Sequence, residues 1–322
     1  TWETTDQWNV GVDFGFLKNR INGTVEFYLQ NTKDLLLKRQ LPVVSGFSSV
    51  MSNVGSTRNK GIEITLNTRN IMNRNFTWST DLTFSANKEE IVELYNGKTD
   101  DVGNLWFIGQ PIDVYYNYKK IGIWQNTEND LAEMAKFNEK GANFKPGSIR
   151  LEDVDGDYKI TEEDKQILGS VRPKFVASMV NNFEFKGFDL SVFLYASVGG
   201  LLRNNIEFME KPGRGNTVKV DYWTPTNPTN AFPRPSVDVE KLDYISTLGY
   251  DKADFLRIRN ITLGYTLPEM WSKKVLMDKI RIYLSANNPA IFTNFTGIDP
   301  EGANGRTAPS YSTWMFGINL SM

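Results

Sequence analysis

The run Gln7-Trp8-Asn9-Val10-Gly11-Val12-Asp13-Phe14-Gly15-Phe16-Leu17 decides the fold. One set of alternate residues is Trp8, Val10, Val12, Phe14 and Phe16; the other is Gln7, Asn9, Gly11, Asp13 and Gly15. A period of two is the side-chain spacing of a β-strand with one buried face. Lys18-Asn19-Arg20 makes a turn, after which Ile21, Val25, Phe27 and Leu29 oppose Asn22, Thr24, Glu26 and Gln30. The two runs predict a hairpin.

Working outward, the pattern repeats. Ile62, Ile64 and Leu66 oppose Glu63, Thr65 and Asn67; Phe76, Trp78, Leu82 and Phe84 oppose Thr77, Ser79, Asp81, Thr83 and Ser85. Further strands are expected at 112–124, 175–185, 188–197, 254–266, 279–287 and 313–322, about ten in all. Helical periodicity is scarce, with short helices expected near 130–136, 161–167 and 268–275. Short turns fall near 18–20, 69–75, 186–187 and 267–278, whereas long connections fall at 33–58, 88–110, 125–172 and 198–252. Structureless loops of that length are unusual in a compact soluble domain.

Composition narrows the function. The 322 residues hold 36 Lys+Arg and 38 Asp+Glu, with neither Cys nor His. A net charge of -2 argues against nucleic-acid binding. Without Cys or His there is no thiolate zinc site and no Ser-His-Asp triad, so an enzyme is the weaker reading. No apolar run approaches the ~18 residues of a spanning helix. The chain opens on Thr1 and reads as part of a larger polypeptide.

Two all-β architectures remain. Runs of roughly eleven residues match the ~9–11 of a tilted membrane strand rather than the ~5–6 of a soluble one. The polar face is mostly Asn, Thr, Ser, Gly and Gln, which suits a wet lumen. Trp8, Phe16, Trp78 and Tyr265 suit an aromatic girdle. The same alternation also fits the core of a two-sheet sandwich. The last strand, from Trp314 to Met322, alternates to its end without a terminal aromatic.

Particular strings then become recognisable. Trp2-Glu3-Thr4-Thr5 leading into Asn9-Val10-Gly11-Val12-Asp13-Phe14, together with Asn59-Lys60-Gly61-Ile62-Glu63-Ile64, resembles the later barrel of SusC/RagA-like TonB-dependent transporters. The string from Asp254-Phe255-Leu256-Arg257-Ile258-Arg259-Asn260 to Gly264-Tyr265-Thr266-Leu267-Pro268 is similar to that family's most distinctive late motif. Ile280-Arg281-Ile282-Tyr283-Leu284 and Thr296-Gly297-Ile298-Asp299-Pro300-Glu301 follow in the family's order. The resemblance implies a transmembrane antiparallel barrel of 22 strands with long extracellular loops. Residues 1–322 would be its C-terminal half, and the plug domain, TonB box and early strands would lie outside them. It implies active import of oligosaccharides or peptides through the outer membrane of a Bacteroidota-type bacterium. The implied partners are a SusD-like surface lipoprotein and TonB-ExbBD, acting through the plug. Two other functions are a scaffold barrel in an outer-membrane assembly and a soluble calcium-dependent carbohydrate-binding β protein.

One ligand motif stands out within the 125–172 connection. Asp153-Val154-Asp155-Gly156-Asp157-Tyr158-Lys159-Ile160-Thr161-Glu162-Glu163-Asp164 places acidic residues at positions 1, 3, 5 and 12 of a twelve-residue loop. That is EF-hand spacing, and it resembles dockerin loops too. The expected calcium ligands are Asp153, Asp155, Asp157, the Lys159 carbonyl and Asp164, with Ile160 as an apolar anchor. Tyr158 stands where Gly is usual, and Asp164 where a bidentate Glu is usual. The competing reading is an acidic turn that caps a short helix from Thr161. Trp106, Trp124, Tyr222 and Trp223 either face substrate or partner, or pack within their own loops.

Overall fold

The computed structural model describes residues 2–41, 43–53, 55–204, 220–235, 243–302 and 310–322. Nine long strands make one antiparallel sheet: β1 (Thr4–Phe16), β2 (Ile21–Lys33), β5 (Ser56–Met72), β6 (Phe76–Glu93), β11 (Phe175–Phe185), β12 (Phe188–Val198), β15 (Phe255–Thr266), β16 (Lys279–Thr293) and β17 (Thr313–Ser321). Shorter strands lie in the connections: β3 (Leu36–Gln40), β4 (Ser49–Asn53), β7 (Val114–Tyr118), β8 (Lys120–Ile123), β9 (Ile149–Leu151), β10 (Lys165–Ser170), β13 (Leu201–Arg203) and β14 (Tyr250–Lys252). The helices are α1 (Glu128–Glu139) and α2 (Glu269–Ser272). In the sheet each long strand pairs with its neighbours in chain order, and among the described residues β1 and β17 are free edges.

Register carries the alternation across the sheet. Val12, Val25, Ile64, Phe84, Ala177, Ala196, Leu256 and Phe292 form one continuous row through eight strands. Among the described residues no second sheet covers this apolar face: Val12 is 60% and Phe27 55% exposed. The sandwich expectation is therefore corrected, because a sandwich core requires a facing sheet. On the opposite face small polar side chains bond across strands, as Thr24 Oγ1 to Asp13 Oδ1 (2.6 Å) and Asn67 Nδ2 to Asp81 Oδ1 (2.7 Å).

The two rims differ. Hairpins β1–β2, β5–β6 and β11–β12 close in a few residues, and β15–β16 closes over α2. Connections 34–55, 94–174, 199–254 and 294–312 all leave the other rim, with 205–219, 236–242 and 303–309 outside the described residues. Strand lengths reach 18 residues in β6, beyond what a bilayer needs. The surplus is at the long-loop end, where Arg58 and Lys88 pair with Glu90. Phe16 sits at the short-turn rim with Phe188 and Tyr265, whereas Trp8 lies eight residues up the same strand. At ~3.3 Å per residue and a tilt of ~40°, that spacing is roughly 20 Å, near the height of an apolar band between two girdles.

Two sequence expectations are corrected. Residues 112–124 do not join the sheet: they split into β7, paired with β10, and β8, paired with β9. The stretch lacks a sustained polar face, and the flanking connections merge into one of residues 94–174. The helix expected near 161–167 is only a 3-10 turn, Glu162–Asp164, before β10 begins. Asp164 folds back to accept the Thr161 N–H at 2.7 Å, closing a capping box, and Lys165 already pairs with Tyr118. The other two helices form, as α1 and as α2 with a following 3-10 turn, Lys273–Val275.

A latch joins β15 to the last connection. Arg257, 3% exposed, reaches Asp299 Oδ1 at 2.7 Å, and its Nε lies 2.7 Å from Glu301 Oε2. Asp299 also accepts the N–H groups of Glu301 (2.9 Å) and Ser310 (3.2 Å) and the Ser310 hydroxyl (2.5 Å). Arg259, at a bulge between Ile258 and Asn260, pairs with Glu301.

Candidate functional site

The long connections build a layer with cores of their own. Ile123, Ile149, Leu151, Trp223 and Leu248 form one cluster; Trp124, Met134, Phe137 and Phe144 form another. None of these residues belongs to the nine sheet strands. Thr127 starts α1 by accepting the Asp130 N–H, and the helix then lays Met134 and Phe137 against Trp124. The Arg150 guanidinium lies 4.4 Å from the centre of the Trp124 ring while pairing with Asp130 (3.2 Å) and Glu133 (2.5 Å). The Trp223 indole N–H donates to Gln125 Oε1 at 2.8 Å. A Cβ at Gly147, which has φ +86°, would lie 2.5 Å from the Trp223 ring, so this turn needs glycine. Trp124 and Trp223 are therefore core, not ligand platforms; Trp106 is half-buried, and Tyr222 is the most exposed of the four.

The acidic loop hangs from that layer. Carboxylate oxygens of Asp153, Asp155 and Asp164 lie within 4.8 Å of one another. Asp164 is fully buried, accepting the Val154 N–H (2.8 Å) on Oδ1 and the Thr161 N–H on Oδ2. Asp153 accepts the N–H groups of Gly156 (2.8 Å) and Tyr158 (2.9 Å), which winds the chain around it. Asp157 does not join the three; its Oδ1 accepts the Lys159 N–H at 2.7 Å. Tyr158 takes the left-handed φ of +64° that usually selects glycine at this position. Its ring packs edge-to-face on Phe137 at 5.4 Å, so the side chain staples the loop to α1. Ile160 packs against both clusters, as expected of an anchor.

The donor set fits calcium in kind: hard carboxylate oxygens, with backbone carbonyls within the same turn. The charges are also uncompensated from within. Asp155 is lowered by the Asp157 N–H, but desolvation, the charges of Asp157 and Asp164 and a side-chain hydrogen bond with Asp153 outweigh that and raise its pKa. A cation would reverse that penalty.

A sheet with one apolar and one polar face, short turns at one rim and a structured layer at the other, is a sector of an outer-membrane β-barrel. Comparison with known proteins agrees. The family model described as "TonB dependent receptor-like, beta-barrel" matches residues 1–289. TonB-dependent receptor P3 of Formosa agariphila is 32% identical over 99% of this chain and 34% of its own length. TonB-dependent receptor SusC of Bacteroides thetaiotaomicron is 30% identical over 99% and 32%. A structure of the RagAB peptide importer in its open-open state superposes with TM-score 0.78 at 26% identity, covering 100% of this chain and 35% of that one. The chain belongs to the TonB-dependent receptor family, on its SusC/RagA-like branch, and its strands lie in the outer membrane. It spans about a third of the length of these relatives.

Proposed function

We propose that the chain is the C-terminal part of the barrel of an outer-membrane importer that takes up oligosaccharides or peptides. In this reading a SusD-like surface lipoprotein covers the long-loop rim, and TonB-ExbBD supplies energy through a plug domain. The family match carries the proposal, supported by a sheet whose apolar face is continuous through eight strands, as a membrane-facing barrel wall requires. Such a protein binds and moves its substrate and catalyses no covalent step. Fractionation of the source cells tests it. The expected result is an outer-membrane polypeptide of around three times 36.7 kDa that co-purifies with a lipoprotein and imports only when TonB is intact. A stable assembly without import would favour the scaffold reading, and a soluble product near 36.7 kDa would sink both.

The acidic loop is read as a structural calcium site in the 125–172 connection. Asp153, Asp155, Asp157, Asp164 and the Lys159 carbonyl would hold the ion, and its role is to pin the loop against α1. Terbium luminescence on the full-length protein is expected to report one calcium-displaceable site. Asp153→Asn should weaken it on the order of tenfold or more, through the loss of ligand charge. Because Asp155 is raised, protons compete with the metal, so affinity should fall as pH drops through that carboxyl's pKa. An affinity that stays flat as pH falls through the carboxylate range would contradict this assignment.

A further inference from the structure

The apolar, membrane-facing side of the sheet carries a group of polar side chains toward its short-turn end. Along the row Ile21, Thr68, Thr80, Asn181, Val192 and Ile261, the middle residues form hydrogen bonds. They nonetheless alternate along their strands with apolar residues such as Trp78, Leu82 and Phe183. A bulge between Arg69 and Ile71 of β5 adds Asn70 to the group. The Asn70 Nδ2 donates to Thr80 Oγ1 at 2.8 Å, and Thr80 Oγ1 donates in turn to Asn181 Oδ1 at 2.7 Å. The Trp78 indole N–H donates to the same Oδ1 at 3.0 Å. An indole N–H only donates, so this bond fixes which end of the Asn181 amide is oxygen. Nothing among the described residues accepts from the Nδ2 at the other end. An amide donor without an acceptor is costly against hydrocarbon, where no water replaces the missing partner.

Two cations stand at the rim above this notch. Phe76 pairs with Phe185 at the ends of β6 and β11, which sets the turns 73–75 and 186–187 side by side. Arg74 and Lys186 occupy those turns, and among the described residues neither has a carboxylate within ion-pair distance. The Lys186 Nζ rests 5.3 Å from the centre of the Phe185 ring. Phe183 stacks with Trp78 at 5.7 Å and with Phe76 at 6.5 Å, giving an apolar wall. Asn181 lies four residues from Phe185, roughly 10 Å inside the rim at a ~3.3 Å rise and ~40° tilt. Cations at the rim, an amide donor below them and an aromatic wall match the phosphate, glycerol esters and acyl chains of a phospholipid. The rim as a whole has the sign that attracts anionic lipid. The turns 17–20, 73–75, 186–187 and 267–278 hold six Lys and Arg against two carboxylates, whereas carboxylates outnumber cations in the long connections. A second copy of the same face would instead set Arg74 and Lys186 against like charges.

We propose that this notch between β6 and β11 binds one anionic phospholipid of the leaflet at the short-turn rim. Arg74 and Lys186 hold its phosphate, and the Asn181 amide donates to a glycerol-ester carbonyl. An anionic headgroup is preferred to a zwitterionic one because the latter brings its own ammonium to two unpaired cations. The assignment needs the strands to lie in the outer membrane and is independent of what the barrel imports. The test titrates the full-length protein, purified from the outer membrane in mild detergent, with phosphatidylglycerol, phosphatidylethanolamine or lipid A. Retained lipid is counted by native mass spectrometry.

The wild type should hold one phosphatidylglycerol about tenfold more tightly than phosphatidylethanolamine. Arg74→Ala combined with Lys186→Ala should lose about 30-fold, since each cation near an anionic lipid contributes a factor of about five. Asn181→Leu should lose about fivefold. Lys18→Ala, in the turn between β1 and β2, should lose nothing. Heat-modifiable mobility reports that each barrel is folded, and the turn variants decide the question if Asn181→Leu is not. Equal retention of the two phospholipids, or retention unchanged in the Arg74 and Lys186 double variant, would overturn the proposal. Lipid A bound in place of phospholipid, or an equal loss in Lys18→Ala, would do the same. So would a dimer of full-length chains that Asn181→Leu separates, because a second copy would then cover the notch.

Discussion

Asp299→Ala is expected to destabilise the full-length barrel by about 3–5 kcal/mol, as breaking a buried pair from one side strands the other charge. The stranded group is Arg257, 3% exposed and left with Glu301 alone. Two N–H groups and the Ser310 hydroxyl lose their acceptor as well. The measurement is the fraction of protein that keeps its heat-modifiable gel mobility along a urea series. A midpoint within error of wild type would show that the latch contributes nothing.

The latch also has a pH signature with a defined sign. Burial raises the Asp299 carboxyl, but the Ser310 hydroxyl, the Glu301 N–H and Arg257 outweigh it and hold it below the usual carboxylate range. A depressed native value means the stabilisation is complete above the unfolded value of ~3.9 and is lost as pH falls through the lower native one. Acid should therefore narrow the difference between wild type and Asp299→Ala, and neutral pH should show it in full.

Trp124→Ala is expected to cost about 3–5 kcal/mol too, but in the long-loop layer alone. The ring is 1% exposed and packs on Phe137, Phe144 and Arg150. Its cluster contains no residue of the nine sheet strands, so the layer should open while the barrel stays closed. Trypsin should then cut within 125–172, and heat-modifiable mobility should persist. Trp124→Phe should be milder, within about 1.5 kcal/mol, because the indole N–H it removes has no hydrogen-bond partner among the described residues. Loss of the folded barrel in Trp124→Ala would show that the layer and sheet unfold as one unit.

The sheet was legible in the sequence because its pattern is local. Each long strand carries its two faces within its own residues, as in Trp8, Val10 and Val12 against Asn9, Gly11 and Asp13. The order of strands followed because every pairing joins neighbours along the sheet's chain order. Alternation misled at 112–124, where short strands pair within a loop layer that has no single polar face. Of the two readings open for Trp124 and Trp223, packing within the loops is the one the structure bears out, and the sequence alone could not choose between them. Whether an aromatic is core depends on residues far away, here Phe144 for Trp124 and Gln125 for Trp223.

The acidic loop divides the same way. Its spacing alone placed Asp153, Asp155 and Asp164, since a twelve-residue turn brings its own ends together. Why Tyr158 is tolerated at the left-handed position was not readable, because its ring is held by Phe137 of α1, outside the motif. By itself, then, the sequence determined the strand faces, the two unlike rims and the acidic twelve-residue turn, all properties of near neighbours along the chain. Only the tertiary structure decided the burial of Arg257 with Asp299 and the separate cores of the outer layer. Each of these unites residues tens of positions apart, and their meeting depends on how the connections pack rather than on any period along the chain.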